Sequence, residues 1–346
     1  MNCRIAVIVT SISPPTPLLR ALAEGCRAAG FRFLVVGDTK SPPDFALDGC
    51  DFLDIGAQRD SGFAFAKLCP TAHYARKNVG YLVAIRDGAQ LIVETDDDNM
   101  PRDGFFAARE RAQQVKVVSG TGWTNLYGYF SDALIWPRGL PLSAVNTTRL
   151  PYAALPTAAV YCPIQQGLAD ANPDVDAIYR LLLPLPQDFR HDRRIALGPG
   201  SWCPFNSQNT AWWPDAFALL YLPAYCSFRM TDIWRSFVAQ RIAAANGWHV
   251  LFHAPTVRQD RNEHDLMRDF SDEIPGYLNN EAIRDALEKT MVTPGIAEIP
   301  NNLQRCYRSL VELGVIQAQE LPLLDAWLQD LAGAHVDEPS PSRTVK

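Results

Sequence analysis

Hydrophobic and polar positions along the first hundred residues form blocks that predict strands and helices in alternation. Residues 4–10 (RIAVIVT) and 31–38 (FRFLVVGD) are apolar runs rich in β-branched residues, which is typical of buried strands. Between them, residues 17–30 (PLLRALAEGCRAAG) carry apolar side chains at helical spacing and end in glycine. Residues 77–88 predict a second helix, and residues 89–96 (AQLIVETD) predict another strand. Strands that alternate with helices indicate an α/β protein whose mostly parallel sheet is covered on both faces.

The second part of the chain has a different pattern. Residues 120–230 are rich in Pro, Trp and Tyr, which favours short strands joined by long loops. A helix is predicted at 231–247 and a strand at 248–255, and residues 281–333 are mostly helical in pattern. Residues 334–346 have no apolar periodicity, so we expect a disordered tail there.

Composition excludes several classes of protein. The 346 residues are 47% hydrophobic and 20% charged, which is ordinary for a globular protein of one or two domains. The formal charge of −6 argues against nucleic-acid binding through a basic face. Eight scattered cysteines without metal-site spacing are typical of reduced thiols. No segment approaches the roughly 18 uninterrupted apolar residues of a membrane span. We therefore expect no transmembrane segment and a cytoplasmic location.

Three consecutive carboxylates, Asp96, Asp97 and Asp98, stand where a buried strand ends. In extended backbone, Asp96 and Asp98 face the same way and Asp97 faces the other. Like charges this close raise each other's pKa and destabilise the fold unless a cation or hydrogen-bond donors compensate. Two carboxylates on one side suit a divalent cation that leaves positions open for phosphate oxygens. The alternative is a solvated turn.

A basic pair, Arg76 and Lys77, begins the helix that precedes this strand. Helix N-termini usually favour acidic residues, because their unpaired N–H groups are partly positive. Cations at this position indicate an external anion, and the arginine fork binds phosphate bidentately. A surface pair of basic residues is the alternative. The basic pair and the acidic strand end are therefore predicted to lie on opposite sides of a bound nucleoside diphosphate.

Several longer segments then resemble the STELLO-type glycosyltransferase family and, more distantly, the reversibly glycosylated polypeptides, which include UDP-arabinopyranose mutases. They are RKNVGYLVAIRDGAQLIVETDDDN, QQGLADANPDVDAIYRL, CPFNSQNTAWW and FRMTDIWRSFVAQR, followed by RNEHDLMRDF. The similarity covers about residues 65–280, with the motifs in the same order. It implies a GT-A fold, in which a Rossmann-like, mostly parallel central sheet is flanked by helices.

The resemblance also implies how the chain is divided. Residues 1–120 are expected to form the nucleotide-sugar-binding half of a GT-A domain, and residues 121–280 the acceptor-binding and catalytic half. Residues 281–333 are expected to form a helical C-terminal extension, and residues 334–346 the disordered tail.

The D-x-D metal motif of such enzymes falls on the aspartate triplet. The resemblance implies that Asp96 approaches the ribose and that Asp98 coordinates Mn²⁺ or Mg²⁺. The other residues expected to bind the nucleotide-sugar donor are Thr10, Ser11, Asp38, Arg76, Lys77 and Asp97. Asp38 is interpreted either as an acceptor for a uracil N–H or as an ordinary turn residue.

In the downstream half, Asp232 is expected to be the catalytic base that takes the proton from the acceptor hydroxyl. It stands just inside a helix start, with Thr231 as the expected N-cap, and its alternative role is to complement the helix dipole. Asp174 and Asp176 form an i, i+2 pair. They are expected to bind sugar or acceptor hydroxyls, or else to form an acidic turn before a helix.

Two further residue types are candidates for the site. A late histidine often completes the metal site of GT-A enzymes, and His264 is preferred over His253 because it lies within a family-like motif. A lone histidine is, however, more often a surface or core residue. Trp202 is expected to stack on a sugar ring, with a core position as the alternative.

These observations predict a metal-dependent glycosyltransferase that moves a sugar from a UDP-linked donor to a glycan or another hydroxyl-bearing acceptor, with inversion. Two alternatives stay open. A UDP-sugar mutase interconverts pyranose and furanose forms of the donor without an acceptor. A non-catalytic protein binds the nucleotide sugar without turning it over.

Overall fold

A computed structural model describes residues 5–260 and 265–336, which form strands and helices largely where the patterns predict them. The strands are β1 (Ile5–Thr10), β2 (Arg32–Val36), β3 (Asp51–Leu53), β4 (Leu91–Thr95), β5 (Asn99–Pro101), β6 (Ala112–Val118), β7 (Gly122–Trp123), β8 (Thr157–Tyr161), β9 (Ile164–Asp170), β10 (Arg194–Leu197), β11 (Ser201–Trp202), β12 (Asn209–Trp212) and β13 (Val250–Gln259). The α-helices are α1 (Pro17–Ala29), α2 (Ile55–Asp60), α3 (Ala64–Leu68), α4 (Lys77–Arg86), α5 (Tyr127–Phe130), α6 (Ala177–Leu182), α7 (Thr231–Ala245), α8 (Leu266–Lys289), α9 (Ile299–Glu312) and α10 (Glu320–Val336).

One large sheet connects both halves of the described chain. Its strands follow the order β3-β2-β1-β4-β12-β9-β13-β10-β6-β8, and β5 pairs with β13. The first four strands are parallel, as are the pairs β9–β13 and β10–β6, whereas β12 runs antiparallel to both of its neighbours. The predicted α/β class, with a mostly parallel sheet flanked by helices, is confirmed. Because β1, β2 and β4 are parallel, their carboxyl ends meet at one edge.

Side chains of β1 alternate between two hydrophobic clusters on opposite faces of the sheet. Ala6 and Ile8 join the larger cluster, which also contains side chains of α4, α7, α9 and α10. Val7 and Val9 join the smaller cluster, which is covered by α1. The sheet is therefore buried on both faces. This burial explains why the sequences of its strands are continuous apolar runs and do not alternate between apolar and polar residues.

Two predicted boundaries differ from the structure. Thr231 is the first helical residue of α7 and not its cap, because the N-cap position falls on Met230, whose side chain makes no capping hydrogen bond. Helix α10 continues through Val336, past the predicted start of the tail at residue 334. Residues 337–346 lie outside the described part of the chain. None of the helices that the structure describes is both long and apolar enough to span a membrane.

Candidate active site

Carboxylates from three separate parts of the described chain line one cavity at the carboxyl end of β4. This cavity, here called the acidic cavity, has a volume of about 280 Å³. Its acidic residues are Asp96, Asp97, Asp98, Asp174 and Asp232. The two basic side chains that also line it are Arg138 and Arg229. The structure thus brings together five carboxylates that the sequence spreads over more than a hundred residues.

A second cavity, here called the strand-end cavity, has a volume of about 410 Å³ and lies against the loops that follow β1 and β2. Ser11 and Asp38, two of the residues predicted to hold the nucleoside, line it. Four residues line both cavities: Thr10, Tyr74, Asp97 and Phe228. The two cavities therefore adjoin each other at these four residues, and together they are here called the cleft.

Each aspartate of the triplet has its own hydrogen-bond donor. Lys77 Nζ lies 3.2 Å from Asp96 Oδ1. Ser11 Oγ donates to Asp97 Oδ2 at 2.6 Å, which ties the triplet to the loop after β1. Gln259 Nε2, at the end of β13, donates to Asp98 Oδ2 at 3.0 Å. Asp96, Asp97 and Asp98 therefore point to three different neighbouring elements.

Lys77 compensates the triplet only in part. Its side chain is fully buried, and Nζ also donates to the Thr95 carbonyl oxygen at 2.7 Å. Burial nevertheless raises the pKa of Asp96 to about 7; Asp98 and Asp232 add to this increase, and Lys77 opposes it. Asp96 is therefore partly protonated at neutral pH, and an additional positive charge in the cavity would stabilise its ionised form.

Arg76 and Lys77, which were predicted to bind a phosphate at the start of α4, direct their side chains into the protein, and their contact with a phosphate stays a prediction. Both side chains are buried. Arg76 Nε donates to Gln58 Oε1 at 2.7 Å, and its Nη1 donates to the Ala66 and Cys69 carbonyl oxygens. Arg76 thus fixes the preceding segment, although it also forms part of the wall of the strand-end cavity. Residue type and spacing alone do not indicate that these charges point inward.

Arg138 connects the two carboxylates that were predicted to act on the acceptor. Its Nε and Nη2 donate to Asp174 at 2.8 Å each, and its Nη1 and Nη2 lie 3.1 Å from Asp232 oxygens. The Ser207 backbone N–H also donates to Asp232 Oδ2, at 3.3 Å. Asp232 lies in the first turn of α7, so a loop residue, an arginine and a helix start together fix its orientation.

Asp176 and Trp202 lie outside the acidic cavity, and each has the structural role that was the alternative to contact with a sugar or an acceptor. Asp176 is fully buried, caps α6 through the Tyr179 N–H and accepts a bond from Trp136 Nε1 at 2.6 Å. Trp202 is part of the larger hydrophobic cluster, and its Nε1 donates to Glu288 at 2.9 Å. In both cases the structural alternative applies.

Asp38 has a structural role that the turn interpretation anticipated only in part. Its Oδ1 accepts the N–H groups of Thr39 and Ala72, and its Oδ2 accepts that of His73 at 3.0 Å. The carboxylate thus fastens the segment before Tyr74 to the loop after β2. A contact with a nucleobase stays a prediction.

Of the two histidines considered as metal ligands, His264 lies outside the described residues. His253 lines a separate cavity of about 520 Å³ together with Arg109 and Arg194. Burial, followed by the charge of Arg109, lowers the pKa of His253 to about 4. His253 does not line the acidic cavity.

The acidic residues of the described chain do not form a complete metal site on their own. Among residues 5–260 and 265–336, no group of three or more His, Cys, Asp or Glu side chains is arranged to hold a metal ion. Asp96 and Asp98 both line the acidic cavity, however, and carboxylate oxygens are the ligands that Mg²⁺ prefers. Magnesium sites in enzymes commonly use one or two carboxylates together with substrate phosphates and water. The residues therefore fit an ion shared with a phosphate ligand.

Several residues of the cleft were missed by the sequence patterns. Arg229 and Phe228 stand in the family-like segment FRMTDIW, so that segment could have indicated them. Tyr74 and Arg138 have no such signal, because only the folded chain places them beside the aspartates.

Comparison with known proteins gives consistent results. Residues 229–340 match the family model of STELLO glycosyltransferases. Over 360 aligned residues, the chain is 29% identical to "Probable glycosyltransferase STELLO2" and 28% identical to "Probable glycosyltransferase STELLO1", both from Arabidopsis thaliana. Each alignment covers 96% of this chain and 45% of the relative, so the chain spans less than half the length of these proteins. The predicted resemblance to the STELLO-type family is confirmed, and the α/β architecture is that expected of a GT-A-like fold.

Proposed function

We propose, from the premise that this chain is similar to STELLO glycosyltransferases over nearly its whole length, that it transfers a sugar from a UDP-linked donor to an acceptor hydroxyl. The acidic cavity is the observation that carries this proposal. Five aspartates line it, and the pKa of Asp96 is raised to about 7 despite contact with Lys77. A divalent cation offsets part of this excess of negative charge, and its remaining coordination positions are open to diphosphate oxygens.

The donor occupies the cleft with its nucleoside in the strand-end cavity. Thr10 and Ser11 face that cavity from the end of β1, and the aromatic side chains of Tyr74 and Phe228 border it. Its diphosphate lies in the acidic cavity, next to the aspartate triplet. This orientation follows from the position of the carboxylates, because Asp96 and Asp98, which would share a cation with phosphate oxygens, line the acidic cavity and not the strand-end cavity.

Asp96 and Asp98 hold the Mn²⁺ or Mg²⁺ ion in this proposal. When bound, the ion stabilises the negative charge that develops on the departing diphosphate. Lys77 orients Asp96, and Gln259 orients Asp98. Because these carboxylates are already oriented, less side-chain entropy is lost when the ion binds.

Asp232 is the general base. It faces the cavity from the start of α7, and Arg138 and the Ser207 N–H hold its carboxylate in place. It takes the proton of the acceptor hydroxyl as that oxygen bonds to the anomeric carbon. The bond from that carbon to the diphosphate breaks with its electron pair, so a single displacement inverts the anomeric centre.

A thermal-shift screen of nucleotide sugars, with and without Mn²⁺, tests the proposal. A ligand that binds only the folded state at about 100 times its Kd adds about 2.7 kcal/mol, or roughly 5 °C of melting temperature for a chain of this size. We expect a UDP-sugar to give such a shift only when Mn²⁺ is present. The Asp98→Asn variant should lose the part of the melting-temperature shift that depends on Mn²⁺.

Two outcomes would contradict the proposal. If no nucleotide sugar shifts the melting temperature, the proposed donor site is refuted. If the shift is the same with and without Mn²⁺, the proposed metal dependence is refuted. Isomerisation of UDP-arabinopyranose without any acceptor would instead identify a mutase.

A further inference from the structure

Tyr74 forms part of the wall between the acidic cavity and the strand-end cavity. Its ring lies 5.4 Å from Lys77 Nζ, the ammonium group that contacts Asp96. On another side it packs edge-on against the exposed Phe228 ring, with 6.3 Å between centroids. The phenol is therefore next to the aspartate triplet and also at the junction through which a bound nucleotide must pass.

The backbone on either side of Tyr74 is held firmly. Asp38 accepts hydrogen bonds from the Ala72 and His73 N–H groups, at 2.8 and 3.0 Å. Arg76, at the other end of the same short 3₁₀ turn, donates to Gln58 and to two backbone carbonyls. The position of the ring is thus set before any ligand binds, which is a requirement for an effective catalytic donor.

The Tyr74 hydroxyl has the properties of a donor reserved for a ligand. Within the described part of the chain, it has no hydrogen-bond partner. Burial, followed by the charges of Asp96 and Asp232, raises the pKa of Tyr74 well above its usual range, so the hydroxyl keeps its proton. Other donors of the acidic cavity already serve the protein, since Arg138 is bonded to Asp232 and Gln259 to Asp98.

We propose that the Tyr74 hydroxyl donates a hydrogen bond to the diphosphate of the nucleotide-sugar donor, at an oxygen that gains negative charge as the sugar leaves. This inference rests on the proposed function and adds a residue to it. The proton stays on the phenol throughout, and the electron pair of the broken bond stays on the diphosphate. A donor with no charge suits this position, because Lys77 already supplies a cation directly beneath the ring.

Tyr74→Phe removes a single oxygen atom and tests this role. Binding of UDP with Mn²⁺, measured by titration calorimetry, should weaken about tenfold, because a hydrogen bond to a charged group is lost. The kcat for sugar transfer should fall roughly 100-fold, as when one donor to a developing oxyanion is removed. The melting temperature of the free protein should not change, because the hydroxyl makes no hydrogen bond within the described residues.

Tyr161→Phe is the matched control. Its hydroxyl donates to Asp215 and lies on β8 at the far edge of the sheet, so UDP binding and kcat should equal those of the wild type. If Tyr74→Phe also equals the wild type while Asp98→Asn loses activity, the role of Tyr74 is refuted and the proposed function stands. A wild-type protein that binds no UDP with Mn²⁺ would refute both.

Discussion

At the scale of single residues, Arg138 determines what two aspartates of the acidic cavity can do. Its guanidinium is buried and bonds Asp174 through two nitrogens at 2.8 Å, while its bonds to Asp232 are longer, at 3.1 Å. Asp174 is therefore the tighter partner of the arginine. This difference leaves Asp232 as the better candidate for taking a proton from the acceptor.

Asp232→Asn should abolish most of the transfer reaction and leave donor binding intact. General-base catalysis contributes roughly 10²- to 10⁴-fold in rate, so we expect kcat to fall by that factor. Arg138 keeps Asp174 as a partner in the variant, so the protein should still fold. Steady-state kinetics and UDP calorimetry on the same sample measure both quantities.

The matched control for this variant is Asp176→Asn, which alters a buried aspartate outside the cavity. Asparagine is as good an N-cap as aspartate, but its single oxygen cannot accept from both the Tyr179 N–H and Trp136 Nε1, so stability should fall while kcat stays within a factor of about three. Equal kcat values for Asp232→Asn and the wild type would show that Asp232 is not the general base.

The residues that the sequence could predict are those with a local signal. The aspartate triplet directly follows a buried strand, and this pattern alone suggested a cation site. Arg138 is 94 positions from Asp232, so no spacing rule relates them. The inward direction of Lys77 and the core position of Trp202 depend on which neighbours pack around them. Residue type and periodicity do not contain that information.

At the scale of elements, a buried ion pair joins β4 to α7. Arg235 Nη1 and Nη2 donate to Glu94 at 2.9 and 2.8 Å, and both side chains are almost completely buried. Trp212 Nε1 adds a bond to Glu94 from β12 at 2.8 Å. Glu94 precedes Asp96 by two residues, and Arg235 follows Asp232 by about one helical turn. The pair therefore fixes the distance between the metal candidate and the base.

Glu94→Gln should lower both stability and turnover. Removing one partner of a buried ion pair costs about 3–5 kcal/mol, because the other charge stays buried. A displacement of about 1 Å between reacting groups can cost up to 100-fold in rate. We therefore expect that kcat, measured well below the melting temperature of the variant, falls at least tenfold. Denaturant unfolding and kinetics at 10 °C provide the two measurements. Should this variant fail to fold, Arg235→Lys keeps the charge and serves instead.

A control for burial is Glu320→Gln. Glu320 is also fully buried and accepts bonds from Tyr221 and from the Ala224 and Tyr225 N–H groups, but it lies on α10 away from the cleft. It should lose stability and keep its kcat. A folded Glu94→Gln protein with wild-type kcat would show that the ion pair is purely structural.

Most elements were predictable because their signals are local. The β-branched runs indicated β1, β2 and β4, and the glycine at position 30 ends α1 in the left-handed conformation, with φ of 72°. The insertion of β12 between β4 and β9 was not predictable. It depends on pairing between strands more than a hundred residues apart along the chain.

At the scale of the whole molecule, one sheet carries both groups of residues that the proposed reaction uses. The triplet follows β4, while Asp174 follows β9 and Asp232 begins a helix after β12. The antiparallel strand β12 joins β4 to β9, so the donor and acceptor sides belong to one continuous sheet. The distance between the two sides is thus set by strand pairing rather than by a flexible linker.

The central claim is that the aspartate triplet shares a divalent ion with a nucleoside diphosphate. An electron paramagnetic resonance titration of Mn²⁺ at pH 8, where Asp96 with its pKa of about 7 is mostly ionised, tests it directly. We predict that UDP tightens Mn²⁺ binding, that Mn²⁺ tightens UDP binding by the same factor, and that Asp98→Asn abolishes this coupling. Mn²⁺ affinity that is the same with and without UDP, or the same in the wild type and Asp98→Asn, would contradict the account.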